Sequence, residues 1–279
     1  MDTGEVSLLQ LVVLAVVQGV TEFLPINSSA HLILVPALTG WPDQGLALDV
    51  AMHIGTLLAV MLYFRRDVGV LAIGMADALR GRATQDARLM LQIVVATLPV
   101  VVAGFLLKDR IETDWRSPAL ITVSTIVFGL LLWTADRLGS RAEGTVEALS
   151  WRNAVLIGLA QTLALVPGVS RSGITMTMAL FLGQRRPEAA RFSLLLSIPT
   201  TAAAGTLGFM VLAGSGDPVM QADAFIGGGL AFVSALVAIA GLMAWLKQAT
   251  LLPFVVYRLA LGVQSRHLVD RVQDESVRL

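Results

Sequence analysis

The chain has 279 residues, 56% of them hydrophobic and 14% charged, with 20 Lys and Arg against 20 Asp and Glu. A water-soluble globular domain carries roughly 45–50% apolar and about 25% charged residues, so this composition excludes an ordinary soluble fold and points to lipid as the solvent. The balanced charge offers no basic surface for nucleic acid, and the absence of cysteine excludes disulfides and thiolate metal sites.

Met1–Ser7 holds Asp2 and Glu5 but no Lys or Arg, so no cleavable signal peptide is expected there. The apolar segments Leu8–Leu24 and His31–Leu38 then flank the polar stretch Pro25–Ser29. Both are short or broken for a spanning helix, which needs about 20 apolar residues. Non-helical backbone at membrane depth is tolerated only where protein or a wet cavity satisfies it, so the pair predicts a re-entrant hairpin over 8–38. Spanning helices are predicted to start near Leu46, Leu89 and Pro118. Next, Val155–Val166 and Thr175–Leu182 flank Pro167–Gly173, which predicts a second re-entrant hairpin over 155–182. Three further spans are predicted near Phe192, Ala224 and Leu251, and the Arg-rich stretch Arg65–Arg88 has room for a surface helix.

The expected architecture is therefore a single all-α integral membrane domain over 1–279. It has two repeats, about 6–137 and about 150–266, each a re-entrant helical hairpin plus three transmembrane helices. The segment Gln18…Glu22-Phe23-Leu24-Pro25…Ser28 weakly resembles Gln161…Ala164-Leu165-Val166-Pro167…Ser170, with the same Pro-to-Ser offset. Cytoplasmic loops collect Lys and Arg. Arg65, Arg66, Arg80, Arg82, Arg88, Arg137, Arg141, Arg152, Arg185, Arg186, Arg191 and Lys247 fall in loops that can all face inside, whereas Ser215–Asp223 has no basic residue. On this path both termini lie outside. An odd number of spans per repeat makes the repeats inverted, an architecture that places sites where broken helices meet. Lys108, Arg110 and Arg116 oppose it in an outside loop, beside Asp109, Glu112 and Asp114.

The chemistry concentrates in the two breaks. Gln18 and Glu22 are four residues apart and share a helix face. A carboxylate in an apolar segment is a functional candidate by default, with an interfacial position at a helix end as its bland reading. His31 lies just past the tip hydroxyls, and His is the usual acid or base near neutral pH. In Pro167-Gly168-Val169-Ser170-Arg171-Ser172-Gly173-Ile174-Thr175, one guanidinium stands among hydroxyls in a Gly-flanked break. Its planar fork suits phosphate, and a structural ion pair with Glu22 is the alternative. His53, four residues after Asp49, reads as packing or support, with direct catalysis the minority reading.

Together, Gln18-x-x-x-Glu22-Phe23-Leu24-Pro25-x-Asn27-Ser28-x-x-His31 and Pro167-Gly168-Val169-Ser170-Arg171-Ser172-Gly173-Ile174-Thr175 resemble the two signature motifs of the BacA-type undecaprenyl-diphosphate phosphatases. The similarity runs from Leu8 to about Leu261. Asn27, where that family usually has Ser, and Ala30, where Gly is common, depart from the pattern. The resemblance implies hydrolysis of undecaprenyl diphosphate to undecaprenyl phosphate and inorganic phosphate, which recycles the lipid carrier of peptidoglycan and other envelope polymers. It also implies a divalent cation, Mg²⁺ or Ca²⁺, and a site open to the outer face of the bacterial cytoplasmic membrane. The family's catalytic residues carry over onto Glu22, Ser28, His31, Ser170, Arg171, Ser172 and Thr175.

The expected division of labour follows from what phosphoryl transfer needs. Arg171, Ser170, Ser172, Gly173 and Thr175, with Gln18 and Asn27 from the first break, bind substrate. Glu22 holds the cation, with Gln18 as its second candidate ligand. The nucleophile is Ser28 with His31 as base, or a water activated by His31 or Glu22. A lipid-phosphate flippase or secondary transporter is the rival reading on architecture alone. The other large class of lipid phosphatases needs a Ser-Arg-x-x-x-His pattern, and here Ser170-Arg171 is followed by no His. A homo-oligomer stays open.

Overall fold

A computed structural model describes residues 6–107, 110, 115, 117–139, 142–214 and 218–277. The expectations that rest on Lys108, Asp109, Glu112, Asp114, Arg116 and Arg141, and on the start of the Ser215–Asp223 loop, fall outside the described residues. Helix α1 (Leu8–Thr21) begins where the Ser7 hydroxyl accepts from the Gln10 backbone N–H at 3.2 Å, satisfying a donor the helix cannot pair itself. Then come α2 (Ser28–Thr39), α3 (Gly45–Tyr63), α4 (Arg65–Leu79) and α5 (Gln85–Leu106). Helix α6 (Pro118–Leu138) starts on a proline, whose fixed φ and missing N–H suit the first helical position. Helix α7 (Trp151–Thr162) is capped by Ser150 and prolonged by a 3-10 turn at Leu163–Leu165. The chain ends with α8 (Arg171–Phe181), α9 (Arg186–Gly214), α10 (Pro218–Leu246) and α11 (Leu252–Val277), and the described residues contain no strand.

The protein is an all-α integral membrane protein. Among the described residues, four helical stretches are long and apolar enough to cross a bilayer: Gly45–Tyr63, Gln85–Leu106, Ala119–Leu138 and Met220–Leu246, with mean hydropathies of 1.7 to 2.4. They match four of the six spans expected from sequence. The segment at Phe192 lies within the 29-residue α9, and the one at Leu251 forms the apolar start of α11. Large side chains such as Phe105 and Phe225 stand 85% exposed, a state that lipid accommodates and water does not. Within the Arg65–Arg88 stretch, Arg65–Leu79 forms a helix, α4, with Asp67 in its first turn.

The chain packs as two compact units, each drawing on both halves of the sequence. One takes the chain up to Leu24, Ser28–Leu91 and Leu194–Ala244; the other takes Pro25–Asn27, Gln92–Ser193 and the chain from Trp245. In the first, Leu11, Leu14 and Ala15 of α1 bury against Leu32 of α2, Leu48 and Met52 of α3 and Ala231 of α10. Backbones approach closely there: a Cβ on Gly55 would fall onto the Gly228 carbonyl oxygen, so α3 meets α10 through glycine on both sides. In the second, Ala160, Val169 and Ile174 form a core under the second tip. Asp136 at the end of α6 pairs with Arg186 and accepts from the Leu251 N–H at 3.2 Å, tying three helix ends together.

Candidate active site

The first break holds three of the predicted residues together. Glu22 is the C-cap residue of α1, and its Oε2 accepts from the Ser28 hydroxyl at 2.7 Å and the Gln18 amide at 3.1 Å. Gln18 is fully buried, and its Oε1 has no hydrogen-bond partner. His53 of α3 joins them, its Nε2 3.6 Å from Glu22 Oε2 and its Nδ1 2.7 Å from the Asp49 carbonyl oxygen. His31 lies on α2, three residues past Ser28 and half-buried. The Ser28 hydroxyl donates to Glu22, whereas the first of the two schemes expected from sequence paired it with His31.

The second break is a tight turn fastened from α6. Ser124 Oγ donates to the Pro167 carbonyl at 2.6 Å, and Thr125 Oγ1 to that of Gly168 at 3.4 Å. Gly168 has φ 95°, and a Cβ there would strike Ser124 and the Ile121 carbonyl, so only glycine fits. Ser170 caps α8, accepting from the Gly173 N–H at 3.2 Å, and contacts Ser172 Oγ at 3.2 Å. Thr175 Oγ1 lies 2.9 Å from the Arg171 carbonyl and 2.6 Å from Ser193 Oγ. Arg171 donates from Nη1 to the Ser193 carbonyl at 3.4 Å, so Ser193 braces both residues. The Ser170 and Thr175 hydroxyls thus hold the loop in shape around Arg171.

Asn27 and Ser170 are the two non-glycine residues of positive φ among those described, at 73° and 66°. Each immediately precedes a helix, α2 or α8, and each follows a buried glutamine by nine positions, Gln18 or Gln161. Both glutamines leave Oε1 unpartnered. Asn tolerates this backbone better than most residues, which accounts for Asn27 as a conformational choice. In this register Ser28 corresponds to Arg171.

Arg258 of α11 was not anticipated. It is fully buried and donates from Nη1 to Pro25 O at 3.4 Å, Nη2 to Gly168 O at 2.9 Å and Nε to Thr125 O at 3.3 Å. One guanidinium therefore holds the backbone of both tips. Its sequence signal was a lone charge inside the apolar run Leu251–Val263, and an intramembrane charge marks function by default.

Residues 11–264 match the family described as bacitracin resistance protein BacA. The chain belongs to the BacA family. A relative from Chromohalobacter salexigens named undecaprenyl-diphosphatase is 52% identical over 256 residues, covering 91% of this chain and 96% of that protein. Proteins of the same name from Alteromonas mediterranea and Teredinibacter turnerae are 47% and 48% identical, each over 92% of this chain and 96% and 97% of their own lengths. Both breaks and Arg258 fall within the part of the chain that matches BacA.

No group of three or more His, Cys, Asp or Glu able to hold a metal occurs among the described residues. Mg²⁺ needs no such cage; it binds through one or two carboxylates plus substrate phosphates. Glu22, with the amide of Gln18 3.1 Å from its Oε2 and the Gln18 Oε1 buried without a partner, fits that sparse pattern.

Proposed function

We propose that this chain hydrolyses undecaprenyl diphosphate to undecaprenyl phosphate and inorganic phosphate at the bacterial cytoplasmic membrane, with its site open to the outer face. The observation that carries the mechanism is the Ser28 hydroxyl donating to Glu22 at 2.7 Å, a nucleophile already paired with a base. Ser28 Oγ attacks the terminal phosphorus as its proton passes to Glu22. The bond from that phosphorus to the bridging oxygen breaks, and undecaprenyl phosphate leaves. Water then attacks the phosphoserine and gives its proton to His31, while Glu22 returns its proton to Ser28 Oγ. Arg171 binds phosphate oxygens bidentately, held in place by Ser193. A divalent cation at Glu22 and Gln18, when bound, neutralises charge on the diphosphate.

Support comes from the family, from the names of the relatives and from the chemistry of the two breaks. The test is acid-quench trapping with undecaprenyl diphosphate labelled at its terminal phosphate. His31→Ala should accumulate label on Ser28, because only the second step loses its base. Label that never appears on Ser28, together with substantial turnover by Ser28→Ala, would move the nucleophile to water.

A further inference from the structure

Building on the phosphatase reading above, we propose that Arg258 is a charged positioning residue of the phosphate site: its guanidinium lies against the first turn of α8, and the substrate's diphosphate balances its charge. Arg258 is fully buried, and its three hydrogen bonds all end on backbone carbonyls, those of Pro25, Thr125 and Gly168. Carbonyls satisfy donors but carry no net charge. Among the described residues no carboxylate pairs with it. A guanidinium does not give up its proton in a protein, so the cation stays.

A buried charge is costly unless an opposite charge meets it, and a charged side chain within the membrane marks a site by default. The surroundings of Arg258 add to that cost. The first turn of α8 holds no acidic residue, and a helix N-terminus carries partial positive charge of its own. Arg171 stands on the same turn. Two guanidinium groups and a helix N-terminus therefore share one sign, and an anion bound at that turn offsets all three. Tying the tips together does not by itself call for a charge, because a neutral side-chain amide also donates two hydrogen bonds.

The fold makes room for this cation at both ends of its side chain. A Cβ on Gly129 of α6 would lie 3.4 Å from Arg258 Cβ, and one on Gly173 would lie 2.8 Å from Arg258 Nη1. The second approach is too close for packed atoms, so a side chain at 173 would displace the guanidinium. Glycine at 173 thus admits Arg258 to the turn that carries Arg171. Gly173 also donates its own N–H to Ser170 Oγ at 3.2 Å, so the cap of α8 and the head of Arg258 meet at one residue.

The experiment uses the full-length protein in detergent with Mg²⁺, as wild type, Arg258→Lys and Arg258→Gln. Methylenediphosphonate, a diphosphate headgroup that resists hydrolysis and carries no lipid, is titrated against thermal unfolding to give its affinity. Phosphate release from undecaprenyl diphosphate is measured beside it. Wild type should be stabilised by methylenediphosphonate. Arg258→Gln removes the charge and should weaken that binding at least about tenfold. Arg258→Lys keeps the charge but loses the fork, so its affinity should stay within about threefold of wild type while its kcat falls. Equal affinity in all three proteins, or equal loss in both variants, overturns the proposal, and phosphate release by wild type then keeps the phosphatase reading. Should Arg258→Gln fail to fold, Gly173→Ala decides, since it keeps every charge and sets a methyl against Nη1. Weaker methylenediphosphonate binding in Gly173→Ala supports the proposal, and unchanged binding overturns it. The split between the Lys and Gln variants, in a wild type that releases no phosphate, keeps the charged site and removes the phosphatase reading. Wild type that neither binds methylenediphosphonate nor releases phosphate overturns both.

Discussion

At the residue scale, the first break was largely legible. The spacing of Gln18 and Glu22 put them on one helix face, and the polar break after Pro25 marked Ser28 as a candidate; that Ser28 lies against Glu22 came only with the structure. What could not be read was the partner each group chose. His53 reaches Glu22 from α3, a contact made in space rather than along the chain. The hydroxyls of the second break look interchangeable in sequence, yet Ser170 caps a helix and Thr175 meets Ser193. Two mutational predictions belong here. Glu22→Ala and Arg171→Ala should each lower the rate of phosphate release at least about a hundredfold, and Arg171→Lys should not rescue, since a point charge replaces a planar fork. Arg258→Lys should also impair turnover while leaving folded protein in the membrane fraction, because an ammonium on a flexible stem cannot serve the Pro25, Thr125 and Gly168 carbonyls as the fork does. Wild-type turnover in Arg258→Lys would remove Arg258 from the positioning of the tips.

At the element scale, hydropathy located every helix that carries the site, because apolar runs broken by Pro and polar residues leave few other structures in lipid. Register was harder. Equal Pro-to-Ser offsets paired Ser28 with Ser170, but the second tip has one more residue between its proline and its helix, so the positive-φ residues Asn27 and Ser170 correspond instead. Backbone conformation fixes that register, and composition does not report it. The helix ends make their own prediction. Asp136→Ala would leave Arg186 without its carboxylate and the Leu251 N–H without an acceptor, which should destabilise the protein by about 3–5 kcal/mol in thermal or denaturant unfolding. Gly55→Leu should reduce the yield of folded protein, because α3 and α10 would have to part where their backbones now touch.

At the scale of the whole molecule, composition alone required lipid, and the four membrane-length helices agree. The two units were invisible in the sequence: their segments interleave, so no linker or shift of composition marks a boundary. We propose that the halves of the chain are repeats of opposite orientation, a reading supported by the common form of the two tips. Cysteine accessibility at Ser7 and Lys247 in intact cells checks it, with Ser7 expected to label from outside and Lys247 from inside. The central claim is that both breaks serve one cation-dependent phosphatase. Its most direct test is phosphate release from undecaprenyl diphosphate by purified protein in detergent, with Mg²⁺ or Ca²⁺ and with EDTA, beside Glu22→Ala and Arg171→Ala. The account predicts release that EDTA stops and that both variants lose; release that persists in EDTA, or in either variant at the wild-type rate, would contradict it.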